Sequence, residues 1–238
     1  MKIEIKDTSG RTLFTHEEEG NTIRKTLQMA HAAKASLEKA DLAGAHIIGV
    51  DLTHANLAGA NFAGAYLLRA NLAGTNFTGA NFSDAGLTRA EFIGADLSGA
   101  DLRRAHCFRA IFDDAKLAGA NLDEIMFDLT NVERANLDGA SLVHARLRNT
   151  FFAGATLLGA NLSHADIMET RFIGANMTGA NLTEAICRGA YMKRAQLARA
   201  NFSRAVLYRV DFSNAVLSDA NVSGAKITQG DFTGTHLE

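Results

Sequence analysis

Proline is absent from this chain of 238 residues, and cysteine occurs only twice. Without proline no backbone N–H is lost to a pyrrolidine ring, which suits a structure that needs every donor for pairing. Two cysteines cannot make a disulfide framework. No apolar run approaches the roughly 20 residues of a membrane span, and the N-terminus lacks the apolar segment of a secretory leader, so a cytoplasmic setting is expected. Neither sign of charge dominates: 24 Lys and Arg face 26 Asp and Glu, for a net charge of −2. That balance argues against a dedicated nucleic-acid binder.

What the chain has instead is repetition. From Ala35 onward it recurs every fifth residue in the pattern Ala-(Asp/Asn)-(Leu/Phe)-x-x, with no insertion or deletion. The central positions, Leu37, Leu42, Ile47, Leu52 and so on to Leu237, are all apolar. Two residues before each centre stands Ala, or a small or β-branched substitute such as Val50, Thr75, Ile125 or Thr150. A period of five fits neither the 3.6 of a helix nor the 2 of a strand. The chain must turn a corner once per repeat, with the centre and its Ala pointing inward.

Four such sides close a square coil, and centres taken every fourth repeat support it. The set beginning at Leu52 runs through Phe92, Phe112, Phe152, Phe172, Phe212 and Phe232, whereas the set beginning at Leu37 holds one Phe, Phe77. Phe stacking on one wall and Leu on another is expected when each inward side chain packs on its equivalent one turn away. The four walls are named here by their first centres: Leu37, Leu42, Ile47 and Leu52. Most of the 21 glycines lie two residues after a centre, the position where a type II turn needs positive φ. Because Gly59, Gly79, Gly99, Gly119, Gly139, Gly159 and Gly179 all fall on the Leu37 wall, such corners are expected to concentrate there.

Residues 1–34 do not repeat and read as a cap. Lys2 to Lys6 and Arg11 to His16 flank the turn signal Asp7-Thr8-Ser9-Gly10, which predicts a hairpin. Asn21 or Thr22 can N-cap a helix to about Lys34, with Ile23, Leu27 and Ala30 covering the first coil. Residues 35–238 then form the coil stack, about ten coils, the whole being one structural domain. Cys107 and Cys187 are both centres on one wall, four turns or about 19 Å apart. That is too far for a disulfide, so both are expected as buried thiols. No comparable cap follows the last coil, which predicts an open edge at Asp231, Phe232, Thr235, His236 and Leu237 and a homodimer joined there.

The runs Ala55-Asn56-Leu57-Ala58-Gly59, Ala60-Asn61-Phe62-Ala63-Gly64 and Ala95-Asp96-Leu97-Ser98-Gly99 resemble the pentapeptide-repeat proteins, and the resemblance extends over nearly all of the chain after residue 34. It implies a right-handed quadrilateral β-helix. It implies function only weakly: some members resemble duplex DNA in shape and charge and protect DNA gyrase from toxins and quinolones. The family has no catalytic residues to carry over.

Function is then expected where the walls depart from the repeat. On the Leu42 wall the residue before the centre is almost always Asn or Asp. On the Ile47 wall it is mostly something else, and large apolar and Arg residues stand where solvent should be. His46, Ile48, Tyr66, Leu68, Arg69, Arg89, His106, Phe108, Arg109, Arg148, Met168, Arg188, Tyr208 and Arg209 form this candidate interaction face. Its excess of positive charge suits an acidic protein partner. The Leu52 wall is acidic, through Asp51, Glu91, Asp113, Asp114, Glu133, Asp211 and Asp231, and would be the working face of a DNA mimic acting on gyrase. Acids only slightly outnumber bases across the repeats, which weakens mimicry.

Chemistry has little support. His144 and His164 lie one turn apart at the same outward position but lack an evident third metal ligand. The adjacent acids Asp113-Asp114 and Asp123-Glu124 sit on outward corners with nothing to raise a carboxylate pKa. No catalytic residue, metal or cofactor is expected, and the chain reads as a non-enzyme.

Overall fold

A computed structural model describes residues 1–236, so Leu237 of the expected edge lies outside the described residues. The residue before each centre forms a parallel bridge with the residue 20 positions on, from Asp41↔Asn61 to Val216↔His236. Asn61 shows the pattern: its N–H donates to the Ala40 carbonyl at 2.9 Å, and its own carbonyl accepts from Leu42 N–H at 2.8 Å. Twenty residues, or four repeats, therefore make one turn, the spacing that the Phe recurrence predicts.

Every centre from Leu37 to Leu217 is buried. The Phe column on the Leu52 wall is present but broken into pairs, Phe92 on Phe112 at 4.6 Å and Phe152 on Phe172 at 4.9 Å between ring centroids. Val132 and Met192 interrupt it. Phe62 and Phe82 of the Leu42 wall stack at 4.8 Å, and Phe77 meets Phe82 edge-on at 5.0 Å. The aromatic interior is thus shared between walls in the first half of the stack.

Among the described residues, corners close with a hydrogen bond from the next Ala-position N–H back to the centre's carbonyl, as from Ala40 to Leu37 at 3.0 Å, except after Cys187, Leu207 and Ile227 on the Ile47 wall. The residue two after the centre has φ between +54° and +69° at every corner from Lys39 to Gly234, glycine or not. The expected concentration of such corners on the Leu37 wall is therefore incorrect. All four walls turn by the same left-handed residue, because a square coil needs the same bend at each side. The corner N–H also bonds to the adjacent coil, as Arg69 to the Thr88 carbonyl at 3.0 Å, which holds non-glycine residues in a conformation they disfavour.

The substituted Ala positions have a specific use. The hydroxyls of Thr75, Thr130, Thr150 and Thr170 donate to the carbonyls of Leu52, Cys107, Phe127 and Leu147, with Thr150 to Phe127 at 2.7 Å. A polar group thus enters the core already satisfied.

At the N-terminus β1 (Lys2–Lys6) pairs antiparallel with β2 (Thr12–Glu17), and α1 runs Ile23–Ala32 with Thr22 as N-cap. Thr22 Oγ1 accepts from Lys25 N–H at 3.2 Å. The helix ends two residues before Lys34, because Lys34 takes a positive φ. Asp7 organises the hairpin turn. Its Oδ1 accepts from Ser9 Oγ at 2.6 Å and from the Ser9 and Arg11 N–H groups at 3.0 Å each. Its Oδ2 accepts from Arg11 Nε at 3.0 Å. These donors, the Ser9 hydroxyl foremost, pull the Asp7 pKa down to about 2. The hairpin joins the first coil through Asp41 N–H to the Lys6 carbonyl at 2.7 Å, and Ile5, Leu27 and Ala30 share one core with Leu37. At the other end burial fails: Val222, Ile227 and Phe232 are 45%, 44% and 41% exposed although they sit at inward positions.

Candidate interaction faces

The Leu42 wall shows what an ordinary wall does with its Asn. Asn61 Oδ1 accepts from Ala63 N–H at 3.2 Å, closing a turn on its own chain, while Asn61 Nδ2 donates to Asp41 Oδ1 at 3.0 Å on the neighbouring coil. Asn81 donates to Asn61, and Asn181 to Asn161, in the same way. Asn before a centre therefore serves both the turn and the stack, and a wall that gives it up loses bonds along its length.

The Ile47 wall has given it up. His46 and Tyr66 stack instead, with ring centroids 4.5 Å apart, and Tyr66 is 52% exposed. Ile48, Leu68, Phe108 and Tyr208 are exposed as well. Arg109 lies over the Phe108 ring at 5.2 Å and Arg209 over Tyr208 at 5.3 Å, each cation on the face of its chain neighbour. Among the described residues Arg69, Arg89, Arg109 and Arg188 have no carboxylate at ion-pair distance. Met168 is half-buried and contributes less than its size suggests.

The wall is not one continuous positive stripe. Arg146 Nε reaches Asp128 Oδ2 at 2.5 Å, and Arg148 reaches Asp166 Oδ2 at 2.6 Å. The middle coils neutralise themselves, so Arg148 of the candidate face is paired with Asp166 within the chain. Two sections remain. The first runs from His46 to Arg109. The second, around Arg188 and Tyr208, borders a hollow of about 410 Å³ lined by Arg188, Val206, Tyr208, Lys226 and Thr228. There the wall straightens into β3 (Val206–Tyr208) and β4 (Lys226–Thr228), which pair in parallel.

The Leu52 wall is less acidic in space than in sequence. Asp114 is held by Arg134 in a two-pronged pair at 2.8 Å, a hydrogen bond that lowers its pKa, and Arg134 also reaches Glu133 at 3.5 Å. Asp113 Oδ1 accepts from Glu133 N–H at 3.1 Å. Asp51, Asp211 and Asp231 accept from N–H groups two residues ahead at 3.0, 2.8 and 2.9 Å, and Glu91 stands exposed. Between Glu133 and Asp211 the wall carries Phe151, Arg171 and Tyr191, with the guanidinium 4.9 Å from one ring and 5.7 Å from the other. Sequence reading missed this sandwich. Its signal is the one used for the Ile47 wall, residues other than Asn or Asp before the centre, here two aromatics 40 residues apart with Arg171 at the 20-residue step between them.

At the expected open edge, His236 pairs with Val216, and Thr235 Oγ1 donates to the Phe212 carbonyl at 3.1 Å. Phe232 stacks on Phe212 at 5.2 Å and leaves its other face uncovered. His144 and His164 stack at 4.8 Å, and His164 Nδ1 lies 3.4 Å from Glu184. Among the described residues no three potential metal ligands converge. Both cysteines are buried free thiols, and burial pushes their pKa values up, away from reactivity. A second hollow of about 680 Å³, lined by His31, Lys34, His54 and Asn56 among others, lies at the C-terminal end of α1 beside the first coil. No helix among the described residues is long and apolar enough to cross a membrane.

Comparison with known proteins agrees with this geometry. The family model of pentapeptide repeats matches in eight copies, the first starting at residue 27 and the last ending at 234. Among solved structures, HetL, a pentapeptide-repeat protein involved in heterocyst differentiation regulation from the cyanobacterium Nostoc sp. strain PCC 7120, is 28% identical. The match covers 89% of this chain and 95% of HetL, with a TM-score of 0.52. QnrB1, a plasmid-mediated fluoroquinolone resistance protein, is 20% identical over 68% of this chain and 85% of its own, with a TM-score of 0.49. The family match and HetL imply a right-handed β-helix. No curated protein matches the chain in sequence.

Proposed function

This chain belongs to the pentapeptide-repeat family, and on that premise we propose that it is a non-catalytic scaffold that binds an acidic protein partner through its Ile47 wall, in a cytoplasmic setting. The observation that carries the reading is the coincidence, on one wall, of exposed Ile48, Tyr66, Leu68 and Phe108 with arginines that, among the described residues, have no carboxylate at ion-pair distance. Such a surface loses water and gains charge pairing only when something covers it. HetL, a relative with a regulatory part, is in keeping with a protein that acts by contact. The test is capture from one lysate by the wild type, by Arg69→Glu with Arg109→Glu, and by Asp113→Lys with Asp114→Lys. The reading expects the bound set to be lost with the first pair and kept with the second.

A second reading is partial DNA mimicry toward DNA gyrase through the Leu52 wall, favoured by the carboxylates of Glu91, Asp113, Asp114 and Glu133 on successive coils. Arg134 and the Phe151–Arg171–Tyr191 sandwich weigh against it. A supercoiling assay with and without a fluoroquinolone separates the readings: inhibition or protection that Asp113→Lys with Asp114→Lys abolishes would favour mimicry. Self-association belongs with either reading, since pairing of two copies over Val222, Ile227 and Phe232 would cover exposed apolar surface. Light scattering that gives a monomer mass at high concentration excludes it.

A further inference from the structure

Within the first section of the Ile47 wall one coil is missing a side chain. Tyr66 has His46 stacked on one face of its ring. Toward the other face the next coil places Gly86, where a Cβ would stand 3.6 Å from Tyr66 Cδ1, and the coil after that presents exposed His106. Two strand spacings put the Tyr66 and His106 backbones about 10 Å apart, which admits one planar ring at stacking distance from both. The corners of these three coils carry Arg69, Arg89 and Arg109, about 5 Å apart along the wall at the strand spacing. Like charges so placed repel until an anion lies across them. On the opposite side Asp84 is already held by Arg104 at 2.7 Å and does not neutralise them.

We propose that the step over Gly86 is a stacking slot for an aromatic side chain of the partner, with acidic residues on either side of it in the partner's sequence. The ring enters between Tyr66 and His106, and the flanking carboxylates meet the arginine ladder. The proposal rests on the reading of this wall as the binding face and names what the face recognises. A peptide suits the slot better than a nucleic acid. The slot is one ring wide, closed below by the His46–Tyr66 stack and bounded above by His106 and Met126, whereas single strands are bound by stacking successive bases on several platforms. The net charge of −2 also disfavours a long polyanion.

Gly86 makes the test clean. Its backbone lies outside the positive-φ region, and a Cβ there meets its neighbours only at ordinary contact distance, so Gly86→Leu can be placed without backbone strain and is designed to fill the slot. Two fluorescein-labelled peptides, Glu-Asp-Trp-Asp-Glu and Glu-Asp-Ala-Asp-Glu, are titrated by anisotropy, with circular dichroism confirming that each variant is folded. The wild type is expected to prefer the Trp peptide by about tenfold. Gly86→Leu should erase that preference while leaving the Ala peptide's affinity unchanged, and Arg69→Glu with Arg109→Glu should abolish binding of both. A Trp preference that survives Gly86→Leu, or no preference in the wild type, overturns the slot while leaving the wall's charge reading intact. Indifference of both peptides to the arginine reversal, or no binding of either, overturns the wall reading and the slot with it. Tighter, Gly86-dependent binding of a labelled hexathymidylate would overturn the peptide in favour of a single-stranded nucleic acid.

Discussion

At the scale of single residues, the stack is governed by one conformational demand repeated at each corner. Glycine meets a positive φ without cost, Asn, Asp and His meet it at some cost, and a residue such as Leu129, at φ 57°, meets it at about 1 kcal/mol or more. Leu129 is exposed, so replacing it removes little packing. Leu129→Gly is therefore expected to raise stability by about 1 kcal/mol, offset in part by the extra freedom of glycine in the unfolded chain. Urea unfolding measures it, and a loss of stability would show that the Leu129 side chain contributes packing that its exposure conceals.

At the scale of elements, the hairpin cap depends on one carboxylate. Asp7 has a folded-state pKa of about 2 against an ordinary value of 3.8, so its ionised form is favoured by folding. The sign follows: its contribution is fully present above about pH 4 and is lost as the pH falls toward 2. Asp7→Asn should flatten that part of the profile. Unfolding midpoints measured across this range for both proteins check it; parallel curves would mean that Asp7 keeps the same pKa when unfolded. How much of each element was legible follows from whether its cause is periodic. The coil step, the hairpin and the helix start came from local patterns, with β2 shifted one residue on from the expected Arg11–His16 to Thr12–Glu17 and Thr22 rather than Asn21 serving as N-cap. The Asp128–Arg146 and Arg148–Asp166 pairs did not, because they join a residue after one centre to one before another, 18 positions apart, across the diagonal between coils. Counting charges by wall hides such pairs. The Phe151–Arg171–Tyr191 sandwich is legible at the 20-residue step, but a count of charges by wall shows only its Arg171 and not the two rings that hold it.

At the scale of the molecule, each coil contacts only its neighbours, so stability is expected to add up along the axis and to fall where a coil has one neighbour. The cap and first coil share a core, and we propose that residues 1–34 fold together with the stack as one domain. The coils from Val222 to Phe232 expose their inward side chains. Hydrogen exchange should therefore be slow from Ile5 through the middle coils and fastest among the amides of 221–236, and a protected C-terminal coil would point to self-pairing there. The fold makes four walls of equal shape, and the account assigns recognition to one of them by what stands on its surface.

The most direct test of that assignment is hydroxyl-radical footprinting of the protein alone and with its captured partner. The account predicts reduced oxidation at Tyr66 and Phe108 of the Ile47 wall, with Phe151 and Tyr191 of the Leu52 wall unchanged. Protection of Phe151 and Tyr191 with Tyr66 still reactive would contradict it and move the binding face to the adjacent wall of the stack.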